Sequence, residues 1–130
     1  MNRKSKGINA ERDLVHMFWD SGWAAVRTPA SGAARFPCPD VIASNRVRKL
    51  AIECKTSRDK AKYFQEGDLD GLKGFATAFG AEPWVGVKFN NQKWFFVAPE
   101  DLQKTQKGFC ITLNSAKVKG VLFEELLQED

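Results

Sequence analysis

Apolar residues recur at helical spacing between residues 9 and 21, where Leu14, Val15 and Phe18 share one side of the projected cylinder. Asn9 is placed to cap this helix and Gly22 to stop it. Short apolar runs then predict strands at 23–27, 40–44 and 49–55, the last two joined by the polar turn Asn45-Arg46-Val47-Arg48. Residues 29–39, rich in Gly, Ala and Pro, read as a loop, and 56–67 as a charged connection. A second helix is expected over 68–79 with Gly80 as its stop, then a hairpin of 84–89 and 93–98 around Asn90-Asn91-Gln92. A short strand at 109–113 and a helix at 121–128 complete the pattern. The order α-β-β-β-α-β-β, with a helical crossover after the third strand, predicts an α/β domain: a central mixed β-sheet flanked by helices, with the 49–55 strand central.

The 130 residues suit a single domain, able to bury roughly two thirds of its unfolded surface. Residues 1–7 read as a mobile basic arm. The net charge of +4 is unevenly spread. Residues 1–60 hold twelve Lys/Arg and six Asp/Glu, and residues 61–130 hold eight and ten. A basic N-terminal half suits a polyanionic partner such as nucleic acid. The three cysteines, Cys38, Cys54 and Cys110, have no C-x-x-C spacing and read as reduced structural thiols. Cys38 is also close enough in sequence to Asp40 to approach any site there. With no signal-peptide pattern and no long apolar run, the expected location is cytoplasmic, away from membranes.

The chemistry concentrates at Pro39-Asp40, followed after twelve residues by Glu53-Cys54-Lys55. Each carboxylate ends an apolar strand, and two carboxylates at neighbouring strand ends can share a hard divalent cation. Side chains at i and i+2 of a strand face the same way, so Glu53 and Lys55 project together while Cys54 turns to the other face. A metal and an ammonium on one surface meet the needs of phosphodiester hydrolysis, and the pattern has the form PD…(D/E)xK of a nuclease superfamily. The plainer alternative is a turn aspartate and a solvated E-x-K charge pair.

Other residues gather around this motif. Glu11 falls inside the apolar stripe of the first helix, where a carboxylate is costly unless it is paired or binds a metal; a first-turn acid serving the helix dipole is the alternative. Arg27 ends a strand and can hold a phosphate bidentately, and the Ser31-Gly32 loop can bring backbone N–H groups to phosphates. His16, the only histidine, lies about 140° from Glu11 on the polar side, which argues against Ser–His catalysis. The second helix lines up Leu69, Leu72, Phe75, Ala76 and Phe79; the stripe suits either packing on the sheet or a dimer surface.

Several segments, taken in order, resemble the archaeal Holliday-junction resolvases of the Hjc type. They are Lys6-Gly7 leading to Ala10-Glu11-Arg12-Asp13-Leu14, and Val26-Arg27-Thr28-Pro29-Ala30-Ser31-Gly32. Pro39-Asp40-Val41-Ile42-Ala43 and Leu50-Ala51-Ile52-Glu53-Cys54-Lys55 follow. Phe75-Ala76, Phe79-Gly80-Ala81 and Val87-Lys88-Phe89 extend the likeness across residues 3–99. The loop after Ser31 reads Gly32-Ala33-Ala34-Arg35, with less glycine than many relatives.

The resemblance implies a restriction-endonuclease-like fold and a homodimer that resolves four-way DNA junctions in recombination and repair by paired, Mg²⁺-dependent incision, with Mn²⁺ as a substitute. By position it implies Asp40 and Glu53 as metal ligands, with Glu11 as a further acidic site residue. Lys55 and Ser31 join them as catalytic residues. DNA contacts fall on Arg12, Arg27, Ser31, Gly32 and Arg35, and the dimer interface on Leu72, Phe75 and Phe79. Two other readings stay open at this point: a repair or restriction-type nuclease of the same superfamily acting on linear duplex, and a non-catalytic junction-binding protein.

Overall fold

The computed structural model describes residues 3–29 and 36–128. The first helix, α1 (Arg3–Asp20), leads through the left-handed Gly22 (φ 84°) into β1 (Ala24–Arg27). β2 (Val41–Ser44) and β3 (Lys49–Ser57) follow. The chain then makes β4 (Ala61–Gln65), α2 (Glu66–Phe79), β5 (Glu82–Phe89) and β6 (Trp94–Val97). A 3-10 turn (Pro99–Asp101), β7 (Gln103–Lys104), β8 (Gly108–Thr112), α3 (Leu113–Lys119), β9 (Val121–Leu122) and α4 (Phe123–Gln128) complete it.

Six strands form the main sheet in the order β1-β2-β3-β5-β6-β9. β3 and β5 run parallel, with Glu53 opposite Val85, and the other neighbours are antiparallel. The sheet is therefore mixed, with β3 inside it, as the crossover implied. Its two faces carry separate cores. Leu14 and Phe18 of α1 meet Ile52, Phe96, Phe123 and Leu126 on one face. Leu69, Leu72 and Ala76 of α2 meet Val85, Val87, Phe89 and Phe95 on the other. Sheet and helix periodicities agree here: Leu50, Ile52 and Cys54 belong to the α1 face, and Ala51 to the α2 face.

Three expectations need correction. Helix α1 begins at Arg3, not Asn9, so residues 3–7 form its first turns. Gly7 is tolerated in a helix at about 1 kcal/mol relative to alanine, and Lys6 Nζ donates to Asn90 Oδ1 at 3.3 Å, tying this end to the β5–β6 turn. The connection read at 56–67 contains β4, whose partner is β8, with Phe64 opposite Phe109. That pairing joins segments more than forty residues apart, and only Phe64 in β4 is buried, so no local pattern announces it. Helix α3 was also unforeseen. Thr112 Oγ1 accepts from the Ser115 N–H at 3.0 Å, a cap in which serine stands where the usual signature has Glu or Gln.

Arg48, read as part of a polar turn, is buried. Its Nε and Nη2 hold the Glu82 carboxylate at 2.8 Å each, and Nη1 donates to the Leu126 carbonyl at 2.7 Å. The guanidinium also lies 5.7 Å from the Trp23 ring centroid. This cation therefore joins the β2–β3 turn, β5 and α4, and one unit of the N-terminal basic excess is structural. Among the described residues no helix is long and apolar enough to cross a membrane.

Candidate nuclease site

β2 is shorter than β3, and the site lies where the two part. Their pairing ends with Val41 opposite Ile52, leaving Glu53–Ser57 of β3 without β2 alongside. Asp40 stands at this fork. Its backbone N–H donates to the Ile52 carbonyl at 3.0 Å, and its Oδ2 accepts the Cys54 N–H at 2.8 Å. The carboxylate thus takes the place of the next ladder carbonyl. Thr28 secures the other side of Asp40: its N–H donates to the Asp40 carbonyl at 3.0 Å, and its hydroxyl donates to the Pro39 carbonyl.

Glu53 and Lys55 project together as alternation requires, with Nζ and Oε2 3.5 Å apart. Cys54 turns into the α1 core, where burial pushes its thiol pKa well up. Glu11 approaches from α1 and pairs with Arg27 of β1, Nε to Oε1, at 3.3 Å. A cleft of about 550 Å³ brings Glu11, Asp40, Glu53 and Lys55 together, with Cys38 on its wall.

The electrostatics of this cleft are unbalanced. Burial, and then the Asp40 charge, push the Glu53 carboxyl up to about 7, against the pull of Lys55. Burial and Asp40 likewise raise Glu11, opposed by Arg27 and Lys55. Asp68 adds a further upward push on Glu53 and lines the same cleft. The sequence pattern missed Asp68 because it is an ordinary helix-start acid. Its Oδ2 accepts the Gln65 N–H at 3.2 Å, and it faces the site only because α2 begins there.

The donor set fits a hard divalent cation. Carboxylate oxygens would supply the ligands, and a cation would offset both the burial and the neighbouring Asp40 charge that raise Glu53. Among the described residues no group of three or more His, Cys, Asp or Glu side chains is placed to hold a metal ion, so any cation here would rest on fewer protein ligands. Two carboxylates with open positions suit a cation that keeps waters and takes substrate phosphate oxygens.

The remaining expected residues divide. Arg12 is exposed on α1, and His16 is exposed as anticipated. Arg27 is engaged by Glu11, so it reaches the site as part of an ion pair. Ser31, Gly32 and Arg35 lie outside the described residues. On α2, Phe79 is 45% exposed and stacks on the partly buried Phe75 with ring centroids 5.2 Å apart. Leu72 must be removed from the surface group, because it is 3% exposed and belongs to the α2 core. Of the four tryptophans, Trp23 and Trp94 are buried, Trp84 is partly buried, and Trp19 is exposed with its indole N–H on the Ala25 carbonyl. No stacking platform of tryptophans forms among them.

The model of the archaeal Holliday junction resolvase (Hjc) family matches residues 2–130. A crossover junction endodeoxyribonuclease Hjc of Archaeoglobus fulgidus is 39% identical, the alignment spanning 97% of this chain and 98% of that protein. The Hjc of Sulfolobus acidocaldarius is 34% identical over 98% of this chain and 90% of its own length. The solved structure of Archaeoglobus fulgidus Hjc, a Holliday junction resolvase from an archaeal hyperthermophile, superposes with a TM-score of 0.86 at 36% identity. It covers 92% of this chain and 96% of the solved one. Nucleases of this family are metal-dependent. With a matching family model, near-complete coverage by relatives and a shared fold, the chain belongs to the archaeal Holliday junction resolvase family.

Proposed function

We propose that this chain carries out its family's reaction, endonucleolytic resolution of four-way DNA junctions, at the fork between β2 and β3, with Mg²⁺ as the metal and Mn²⁺ as a substitute. The observation that carries the assignment is the geometry of the fork, where Asp40 Oδ2 is held by the Cys54 N–H and shares one cleft with Glu11 and the Glu53–Lys55 pair. Asp40 and Glu53 would hold the metal, with Glu11 behind them. When bound, the metal polarises the scissile phosphate and lowers the pKa of an attacking water. Lys55 supplies a fixed positive charge to the phosphate as negative charge builds on it. Asp40 is oriented by the Cys54 N–H, and Glu11 by Arg27, so neither carboxylate must reorganise when DNA arrives. The test compares a fixed four-way junction with its linear arms, with divalent metal and with chelator. Metal-dependent cutting of the junction alone supports the proposal. Equal cutting of linear duplex would support a repair-type nuclease, and binding without cutting a junction-binding protein.

DNA affinity in this reading comes from phosphate contacts, with Arg12 the exposed member of the pair expected from the sequence. Junction binding should therefore weaken steeply with salt, and Arg12→Ala should flatten the log–log slope by about one unit. Arg27→Ala should flatten it less, since its charge is already partly spent on Glu11. An equal flattening by both would show that the Glu11–Arg27 pair opens on DNA.

Paired incision needs two sites related by a twofold axis, and the protein acts in this proposal as a homodimer of single-domain subunits. Phe79, half-exposed and stacked on Phe75, supports an interface on α2. Phe79→Ser should then give a folded protein by far-UV spectrum that runs as a monomer in light scattering. It should nick single strands but lose paired cutting. A folded variant that stays dimeric would place the interface elsewhere.

A further inference from the structure

A second cleft, of about 740 Å³, adjoins the carboxylate cleft and shares Glu11, Cys54 and Lys55 with it. It runs along the far end of β3 to Tyr63 on β4. Among the described residues Lys6, Lys55, Arg58 and Lys62 line it, against two acids, Glu11 and Asp59. Tyr63 is 69% exposed, while the next residue, Phe64, is 4% exposed and belongs to the α2 core. Strand alternation therefore sends one aromatic ring inward as an anchor and presents the other to the groove.

The presentation is rigid. β4 pairs with β8 along its whole length, Tyr63 opposite Cys110, and the strands close so tightly that a Cβ on Gly108 would stand 2.1 Å from the Phe64 carbonyl oxygen. The β3–β4 turn is fixed by Ser57, whose hydroxyl accepts the Asp59 N–H at 3.2 Å and donates to the Ala61 carbonyl at 2.9 Å. An exposed tyrosine presented from a firmly paired strand into a cationic groove beside the carboxylate cleft has the composition of a base-stacking surface with phosphate-binding flanks.

We propose that Tyr63 is a specificity-determining residue, stacking on the exposed face of a base at the branch point while the exposed Arg58 holds a flanking phosphate. Continuous duplex hides every base face inside the stack. A four-way junction opened at its centre leaves the terminal base of each arm with a free face, so the contact is available only to branched DNA. The proposal rests on reading the Asp40–Glu53–Lys55 cleft as the cutting site, because that places Tyr63 one groove from the scissile phosphate.

The experiment uses the full chain with a fixed four-way junction carrying 2-aminopurine beside the branch point, and a linear duplex of one arm sequence. Tyr63→Ala should weaken junction binding by about 5- to 150-fold, in the range of a lost base–aromatic stack, with duplex binding little changed. It should also abolish the protein-induced quenching of 2-aminopurine, whereas Tyr63→Phe should keep both affinity and quenching. Asp40→Asn should keep the quenching while losing cutting. Wild-type affinity and quenching in Tyr63→Ala would overturn the stacking proposal alone. So would a loss of dimers in Tyr63→Ala, which would assign the ring to a protein interface. Cutting by Asp40→Asn would overturn the reading of the cleft and the stacking proposal with it.

Discussion

Asp40→Asn should yield a folded protein that binds a four-way junction at least as tightly as wild type and cuts it at below roughly a thousandth of the wild-type rate. The fold should survive because the asparagine carbonyl can still accept the Cys54 N–H that Asp40 Oδ2 accepts at 2.8 Å. Cutting should fail because a neutral amide is a poor ligand for a hard cation and the second carboxylate is left alone. Binding should not fail, since the change removes a negative charge from a surface that must meet phosphate. Glu53→Gln should share this phenotype while keeping Asp40's strand-capping bond. Measured rates with saturating metal and a labelled junction decide the point, and an active Asp40→Asn would remove the proposed metal site.

In the presence of chelator, the folded protein should lose stability as pH rises from about 5 to 8. Glu53 titrates near 7 in the fold against an ordinary carboxylate value of 4.5. Between those values the native state holds a proton that the unfolded chain has released, so the slope of stability with pH is negative. The stability is fully present below about 4.5 and is lost through about 7; a shift of that size corresponds to something on the order of 3 kcal/mol. Glu11, raised by burial and by Asp40, acts in the same direction. Glu82 acts in the opposite one, because its bond to Arg48 lowers its pKa, and its contribution is lost as pH falls below the ordinary carboxylate range. Urea titrations of Glu53→Gln should therefore show a flatter alkaline limb than wild type and an unchanged acid limb. Adding divalent metal to wild type should restore stability at pH 8, and at pH 6, where Glu53 still holds its proton, metal binding should release protons. A wild-type profile that is flat from pH 5 to 8 in chelator would contradict the burial of Glu53 beside the Asp40 charge at the fork.

The parts of the site carried by strand periodicity were legible before the fold. Glu53 and Lys55 lie two residues apart on β3, and their side chains meet at 3.5 Å. Cys54 turns into the core between them. Glu11 was legible for a different reason: helix spacing put a carboxylate in an apolar stripe, and the structure pairs it with Arg27. The same spacing argument placed Leu72 with Phe75 and Phe79, but it cannot distinguish the sheet-facing edge of a stripe from its outer edge. Leu72 is core, and Phe79 is half-exposed. Net charge was legible only as a sum, since Arg48 and Arg27 are both committed to carboxylates within the chain.

What the sequence by itself determined was local: the period of α1 and α2 and of β1–β3, β5 and β6, the stops at Gly22 and Gly80, the Asn91 turn and the side of β3 from which Glu53 and Lys55 project. Backbone geometry repeats every 2 or 3.6 residues, so a short window of residues is enough to set these. The tertiary structure alone decided that β2 stops short of β3, so that Asp40 caps the exposed ladder beside Glu53. It also decided that β4 pairs with β8 and holds Tyr63 beside the site, and that Asp68 adds its charge to Glu53. Each of these depends on segments distant in sequence, whose meeting is set by burial on both faces of one sheet and leaves no periodic mark in either segment.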